Sequence, residues 1–362
     1  MKKYRPHFYF FGTLSAFALI VFFAVPEFFS SGFTTEIVSG LGIKKEKKIT
    51  YPPYDRLVYD AKLEALANNP PPPPPPASPE GGGSPTGKPS LWPAPAPYPL
   101  PGAILPFKRV VAYYGNLYSK KMGALGEYPE EEMLARLMAE VKRWEAADPA
   151  TPVMPALHYI AVVAQAAPGE AGKYRLRMPG SEIDKVLAMA EKIGGIVFLD
   201  VQVGLSNLQS ELPAFEKYFK LPNVHLGVDP EFSIKTASRP GKVIGTFDAA
   251  DINYAAQYLA KVVRDNDLPP KIFVVHRFTG PMVTNYRLIE TLPEVQIVMH
   301  MDGWGPKPKK IGTYKNFIYP QPVQFTGFKI FYKNDTKEPG TVIFSPAELL
   351  KLRPIPIYIQ YQ

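Results

Sequence analysis

Eight apolar segments recur along residues 108–362, and helix-like stretches separate most of them. The apolar segments cover residues 109–115, 153–163, 195–204, 224–232, 242–249, 271–280, 295–303 and 326–334. The amphipathic stretches cover residues 129–147, 181–194, 210–220, 249–266, 281–291, 307–318 and 345–353. Buried strands that alternate with helices over about 250 residues are typical of one (β/α)8 barrel of the TIM type. The sequence therefore predicts this α/β fold for residues 107–362.

Two further observations bear on this prediction. The interval between the fourth and fifth apolar segments is too short for a full helix, so we expect a loop at one position of the outer ring. A doubly wound open sheet is the alternative fold. Neither GxGxxG nor GxxxxGK[ST] follows a predicted strand, which counts against the binding of a nucleotide phosphate. We favour the barrel and expect no cofactor.

The N-terminal part of the chain has the pattern of a membrane anchor. Residues 8–25 are uncharged and rich in aromatic residues, and as a helix they would span about 27 Å, close to the thickness of a bilayer core. Lys2, Lys3 and Arg5 precede this run, which favours a cytoplasmic start and an extracytoplasmic remainder. No clear cleavage site follows the run. We predict a single-pass signal anchor in residues 1–30, with a cleaved signal peptide as the alternative.

Residues 31–106 differ in composition from the rest of the chain. A helix-like piece at 54–69 precedes seven consecutive prolines at 70–76, and Gly/Ser-rich and Pro-rich pieces follow. Polyproline extends by about 3.1 Å per residue, so the prolines alone would span about 20 Å. We predict a juxtamembrane segment and a stalk that separates the barrel from the membrane. Pro-rich runs also bind aromatic grooves, so an envelope protein is a second candidate partner of this segment.

Bulk composition excludes several kinds of function. The chain has no cysteine, which rules out disulfides, thiol catalysis and Cys-ligated zinc. Its net charge of +8 is spread over the N-terminal flanks and later lysines rather than gathered in an arginine-rich face with interleaved aromatics. We therefore expect no nucleic-acid partner.

Acidic residues end the third and fourth apolar segments. Asp229 and Glu231 lie two residues apart, where a continuing strand would point both to one side, and Asp200 ends the neighbouring strand. Function in barrels of this class resides at the carboxyl ends of the strands. Crowded acids raise at least one pKa, and a carboxyl group that stays protonated can donate to a leaving oxygen. We predict that Glu231, Asp229 and Asp200 are catalytic residues of glycoside hydrolysis.

Other polar and aromatic residues at the strand ends form a candidate substrate site. They are Tyr113, Tyr114, His158, Gln202, His276, Asp302, Trp304, Lys329 and Tyr332. Structural roles stay open for some of these positions. His158 and His300 could be hydrogen-bonded core residues, and Asp302 could shape a turn. Asp248 precedes a helix-like stretch, so we expect it to be a helix N-cap.

Two resemblances accompany these patterns. The Asp-x-Glu of "GVDPEF" resembles the fourth-strand acids of chitinase-like and phage-lysozyme-like glycoside hydrolases, which implies that Glu231 is the proton donor and Asp229 its support. The fuller pattern DxxDxDxE is absent, and Pro230 separates the acids. Segments such as "AYYGN", "FLDVQVG" and "MDGWG" resemble secreted or lipoprotein-type bacterial barrel proteins without an established activity. This second resemblance implies a barrel in the cell envelope.

Three functions fit the sequence. The first is a membrane-tethered, extracytoplasmic glycoside hydrolase acting on envelope or extracellular polysaccharide. The second is a non-catalytic glycan-binding or envelope scaffold protein, because a fold does not imply an activity. The third is a metal-dependent hydrolase of phosphodiesters, with oxygen and nitrogen ligands drawn from Asp200, Asp229, Glu231, His276 and His300. No HxH, HxxE or HExxH spacing supports the third function, so the leading hypothesis includes no metal.

Overall fold

Eight parallel strands close into a barrel in the computed structural model, which describes residues 51–67 and 91–362. The strands are β1 (Arg109–Gly115), β2 (Val153–Ala164), β3 (Ile196–Val201), β4 (Val224–Val228), β5 (Lys271–Arg277), β6 (Val295–Met301), β7 (Phe325–Ile330) and β8 (Tyr358–Tyr361). Each strand pairs with the next along the chain, and β1 pairs with both β2 and β8. The predicted TIM-type barrel is confirmed.

One of the eight predicted strands is wrong. Residues 242–249 are not in the barrel: only Phe247–Asp248 are extended, and they pair with Val283–Thr284 outside it. Val243 and Ile244 are more than two-fifths exposed, so their apolar character reflects a surface loop. The place is taken by β8, whose short sequence follows two prolines and was not recognised as a strand.

Helices cover the outside of the barrel. They are α1 (Arg56–Leu66), α2 (Ala124–Glu127), α3 (Glu130–Ala147), α4 (Gly180–Lys192), α5 (Leu208–Glu211), α6 (Glu216–Phe219), α7 (Ala249–Asp265), α8 (Lys307–Thr313) and α9 (Pro346–Leu349). A π-helical turn, Tyr314–Ile318, extends α8, and 3-10 turns lie at Glu170–Gly172, Leu212–Phe215, Pro230–Phe232, Gly280–Met282 and Tyr286–Leu288. A short strand, Arg175–Arg177, pairs antiparallel with β2.

The position that lacks a helix differs from the predicted one. The β4–β5 connection contains the long helix α7, because the segment assigned to a fifth strand belongs to this connection. The β5–β6 connection, all of which the structure describes, contains only short strand pieces and 3-10 turns where residues 281–291 were expected to be helical. Asp248 caps α7 in a capping box, as expected.

Strand alternation divides the buried residues into two layers. Inside the barrel, apolar residues such as Val110, Ala112 and Phe198 fill the half nearest the strand starts. Outside, their neighbours such as Val111 and Leu199 pack beneath the helices. Because the same alternation continues to the strand ends, polar residues in phase with the interior set face the centre of the barrel.

Part of the segment assigned to the stalk packs against the barrel. Residues 51–67 and 91–106 belong to the same compact unit as the barrel, which begins at Thr50. Tyr59, Trp92 and Leu105 are buried there, and Ile355 donates its backbone N–H to the carbonyl of Leu66. The structural boundary of this unit therefore lies well before residue 107.

The remaining N-terminal predictions fall outside the described residues. These are the membrane anchor at 8–25 and the proline run at 70–76. In the part of the chain that the structure does describe, every helix is too short or too polar to cross a bilayer.

Candidate active site

A cleft of about 570 Å³ lies at the carboxyl ends of the barrel strands. Residues that follow β3, β4, β6 and β7 line it, and the bulky side chains of Phe232, Phe278 and Phe331 bound it. Its polar lining consists of Tyr114, Lys121, Gln202, Asp229, Glu231, Thr279, Asp302, Lys309, Thr313, Lys329 and Gln362, with Trp304 beside them. This is where barrels of this class carry their active sites.

Asp200 lies beneath this cleft and is fully buried. Its Oδ2 accepts a hydrogen bond from the Tyr114 hydroxyl at 3.0 Å. Its Oδ1 lies 3.2 Å from Nε2 of His158 and 3.4 Å from Nε2 of His276. Burial would raise the pKa of Asp200, but the two imidazoles together hold it below its ordinary value. Asp200 is therefore an ionised carboxylate inside the barrel.

His276 links Asp200 to Asp302. Its Nδ1 lies 2.8 Å from Asp302 Oδ2. Burial would lower the pKa of His276, but the two flanking carboxylates raise it to about 10. Near neutral pH this side chain is therefore an imidazolium between two carboxylates. By contrast, burial lowers the pKa of His158 to about 4, so His158 is neutral.

Asp302 carries the ionised carboxylate that lines the cleft. Its Oδ1 lies 3.0 Å from Lys329 Nζ, and that ammonium lies 3.8 Å from the centroid of the Tyr114 ring. Burial would raise the pKa of Asp302, but Lys329 and His276 hold it below its ordinary value. The sequence proposed a turn or a substrate contact for this residue, and the structure places it in the ionic network of the cleft.

Asp229 and Glu231 both line the cleft, but they are not on one strand. The strand ends at Val228, and Glu231 lies in the 3-10 turn Pro230–Phe232, where Asp229 Oδ1 accepts the backbone N–H of Glu231 at 3.0 Å. Burial raises the pKa of Asp229 well above its ordinary value, and the nearby Asp302, Glu231 and Asp200 charges raise it further. Burial and the Asp302 charge also raise the pKa of Glu231.

The predicted substrate residues divide into three groups. Tyr114, Gln202, Asp302, Trp304 and Lys329 line the cleft. His158 and His276 lie below it in the interior. Gln202 supports the lining, because its Nε2 donates to the Tyr114 hydroxyl at 3.2 Å and its Oε1 accepts from the backbone N–H of Ala164 at 3.0 Å.

Tyr113 and Tyr332 form the third group and lie outside the barrel interior. Their hydroxyls are 3.1 Å apart, and the Tyr332 hydroxyl donates to Glu140 of α3 at 3.0 Å. Tyr113 alternates with Tyr114 along β1, so only one of the two can face the interior. The two tyrosines were predicted to contact substrate, but they instead pack between the barrel and α3.

Other residues of the site were not proposed from the sequence. Lys121 comes from the loop after β1, and Lys309 comes from helix α8. Phe232, Phe278 and Phe331 follow β4, β5 and β7, so the closed barrel brings them to the cleft. Tyr358 contacts His158 and was missed because β8 was not recognised. Inside the barrel, Gly227 permits the close approach of His158 and Asp200, since a Cβ there would lie 2.3 Å from His158 Nε2.

Comparisons with known proteins identify no family for this chain. No protein-family model and no curated protein sequence matches the chain. Among solved structures, the cellulase Cel5C_n aligns with 14% identity and a TM-score of 0.39 over 70% of this chain and 75% of its own. HPPK-DHPS of Plasmodium falciparum with pteroate aligns with 9% identity and a TM-score of 0.30 over 70% of this chain and 44% of its own. The barrel assignment rests on the strand pairing itself.

Proposed function

We propose that this protein is a glycoside hydrolase that cleaves polysaccharide with a pair of carboxyl groups. The observation that carries the proposal is the pair Glu231 and Asp302, which line one cleft with pKa shifts of opposite sign. Burial keeps Glu231 in its acid form to higher pH, while Lys329 and His276 keep Asp302 ionised. Environments that separate the pKa values of two carboxyl groups are the basis of acid and base assignment in glycosidases.

The two groups take complementary parts in the reaction. Glu231 donates its proton to the glycosidic oxygen as the bond to the leaving sugar breaks. The Asp302 carboxylate stabilises the positive charge that develops at the anomeric carbon. Water then adds its hydroxyl to that carbon and returns a proton to Glu231, so the acid is restored. Asp229, whose pKa burial raises well above its ordinary value, contributes a hydrogen bond at the bottom of the cleft. Asp200 is a positioning residue, because it acts through His276 and lies beneath the cleft.

The proposal places the enzyme outside the cytoplasm on a membrane tether. Its support is the sequence of residues 1–30, in which a basic start precedes the apolar run at 8–25. The substrate is then a polysaccharide of the envelope or of the extracellular space. The proline run at 70–76 contributes spacing from the membrane or a contact with an envelope protein.

Replacing Glu231 with Gln tests the proposal directly. The full-length chain, purified in a mild detergent, is incubated with envelope glycans and a panel of soluble polysaccharides, and new reducing ends are quantified. Loss of a general acid lowers turnover by about 10²–10⁴-fold. We expect the melting temperature to be preserved, because the Glu231 side chain forms no ion pair with the residues that the structure describes. Glu131→Gln on α3 is the matched control, since that carboxyl is exposed.

Two results would count against the proposal. Cleavage by Glu231→Gln at the wild-type rate would remove Glu231 from the chemistry. Retained affinity for a glycan with no reducing ends from any polymer, in wild type and variant alike, would favour the non-catalytic binding protein. The pH profile gives a further check: activity should fall on the alkaline side as Glu231 loses its proton, and Glu131→Gln should leave that limb unchanged.

A further inference from the structure

Three polar atoms converge at one point inside the barrel. They are Nε2 of His158 on β2, a carboxylate oxygen of Asp200 on β3 and Nε2 of His276 on β5, and all lie within 4.8 Å of one another. Asp200 Oδ1 is 3.2 Å from the first nitrogen and 3.4 Å from the second. Each of the three side chains is fully buried.

The two separations from Asp200 Oδ1 match the spacing of ligands around a metal ion. A tetrahedral zinc ion with bonds of about 2.0–2.1 Å places its ligand atoms about 3.3–3.4 Å apart. Two imidazoles and one carboxylate also form a donor set that divalent first-row transition ions use in proteins. The distances and the donor types therefore agree with one kind of site.

The other ring nitrogen of each histidine is held by a second residue. His158 Nδ1 lies 2.6 Å from the Tyr358 hydroxyl, and His276 Nδ1 lies 2.8 Å from Asp302 Oδ2. Metal-binding histidines are oriented in this way by an oxygen partner, often a carboxylate, on the nitrogen that does not bind the ion. Both Nε2 atoms are thus directed toward Asp200.

The space in front of these atoms is kept clear of side-chain carbon. A Cβ at Gly227 would lie 2.3 Å from His158 Nε2 and 2.5 Å from Asp200 Oδ1, so only glycine leaves both atoms accessible. His300 adds a neighbouring donor: its ring centroid is 5.0 Å from that of His276, and both of its nitrogens lack a hydrogen-bond partner among the described residues.

We propose that His158, Asp200 and His276 bind a divalent transition-metal ion, for which zinc is the best fit to the donor set. The ion replaces the proton on His276 Nε2, which leaves to solvent, so this ring is an imidazolium only in the ion-free protein. Asp200 and Asp302 supply negative charge around the ion, and Tyr114 separates it from the cleft by donating to Asp200. The alternative to a metal site is a hydrogen-bonded cluster, in which the Nε2–H groups of His158 and His276 both donate to Asp200 Oδ1. Asp200 and His276 also support Asp302 in the proposed hydrolase, but the test of metal binding needs no substrate, so either proposal can fail without the other.

The test measures binding of Zn²⁺ and Co²⁺ to the full-length protein in detergent. After dialysis against a chelator, the wild type should bind one Zn²⁺ per chain in calorimetric titration, and Co²⁺ should give the visible absorption of a site with nitrogen and oxygen ligands. Asp200→Asn and His158→Gln should each weaken Zn²⁺ binding by 100-fold or more. His225→Gln is the matched control, because His225 is equally buried in the barrel interior and its Nδ1 instead accepts the backbone N–H of Ile272.

The outcomes separate the two arrangements. Absence of stoichiometric binding to the wild type would overturn the proposal in favour of the hydrogen-bonded cluster. Wild-type affinity for Zn²⁺ in both Asp200→Asn and His158→Gln would also overturn it, because the ion would then bind elsewhere. Where a variant does not fold, X-ray absorption of the zinc-loaded wild type decides: two imidazole ligands support the site, and none or one overturns it.

Discussion

At the scale of single residues, Trp304 is an exposed aromatic at the cleft in which the proposed hydrolase would bind a sugar. It follows β6 at the cleft and is 47% exposed. The ammonium groups of Lys309 and Lys337 lie 4.6 and 5.2 Å from its ring centroid. An exposed ring of this kind offers an apolar face, and the two lysines favour sugars with negative charge.

We expect Trp304→Ala to weaken polysaccharide binding by about tenfold, which corresponds to about 1.4 kcal/mol. The melting temperature should change little, because the indole is largely outside the core. Affinity electrophoresis against neutral and uronic-acid polymers measures the effect. Tyr319→Ala, which removes an exposed aromatic outside the cleft, should have no effect. Equal affinity in wild type and Trp304→Ala would contradict the assignment.

The alternation of residues along β1 shows what the sequence can predict at this scale. It indicated that Tyr113 and Tyr114 end a buried strand, but it could not give the phase of that strand, because both faces of a barrel strand are buried. Asp200 and Gln202, two residues apart, both contact the Tyr114 hydroxyl. The prediction that Asp229 and Glu231 lie on one continuing strand was wrong, because the chain turns there and Asp229 accepts the backbone N–H of Glu231.

At the scale of elements, β5 begins with a buried lysine. Lys271 is fully buried, and its ammonium donates to the carbonyl of Leu221. Burial lowers the pKa of Lys271 to about 7. An unfolded chain holds a lysine proton up to about pH 10.4. Between these values the unfolded state binds more protons, so the contribution of Lys271 to stability improves as pH rises.

Lys271→Met should remove this dependence. The variant should be more stable than the wild type at pH 7, and the difference should shrink by about 1.4 kcal/mol per pH unit as pH rises toward 10. Urea unfolding at several pH values measures the free energy of unfolding of both proteins. Lys142→Met on the exposed face of α3 should show no such trend. A difference that is constant with pH would contradict the prediction.

Element boundaries were predictable where pattern and burial coincide. The helices α3, α4 and α7 match amphipathic stretches closely, because each has one apolar face against the barrel. The predictions for residues 242–249 and for β8 were wrong because local apolar character does not distinguish a surface loop from a strand. The position of β8 in the barrel depends on its pairing with β1 and β7, of which β1 is distant along the chain.

At the scale of the molecule, residues 91–106 close the amino-terminal end of the barrel. Leu105 exchanges two hydrogen bonds with the Gln296 side chain: its N–H donates to Oε1 at 3.1 Å and its carbonyl accepts from Nε2 at 2.6 Å. Trp92 is only 2% exposed, and its indole N–H donates to the carbonyl of Tyr319. These contacts bury residues that the sequence had assigned to a stalk.

A fragment of residues 107–362 should therefore be much less stable than one of residues 50–362. Each large apolar side chain removed from a buried position costs about 1.5–3 kcal/mol, and the interior residues that Leu105 covers become exposed. Thermal and urea unfolding of the two fragments provide the comparison. Equal melting temperatures would show that this segment only rests on the surface.

The pairing of β1 also has a consequence for folding kinetics. Val110 pairs with Met154 on one side and with Tyr358 on the other, so one partner is close along the chain and the other is separated from it by nearly the whole barrel. Pairings of such long sequence separation form slowly. Until β8 has paired with β1 and β7, one edge of each of these strands has unpaired backbone groups that other chains can bind. A chaperone that shields those edges would raise the yield of folded protein more than one that acts on the helices.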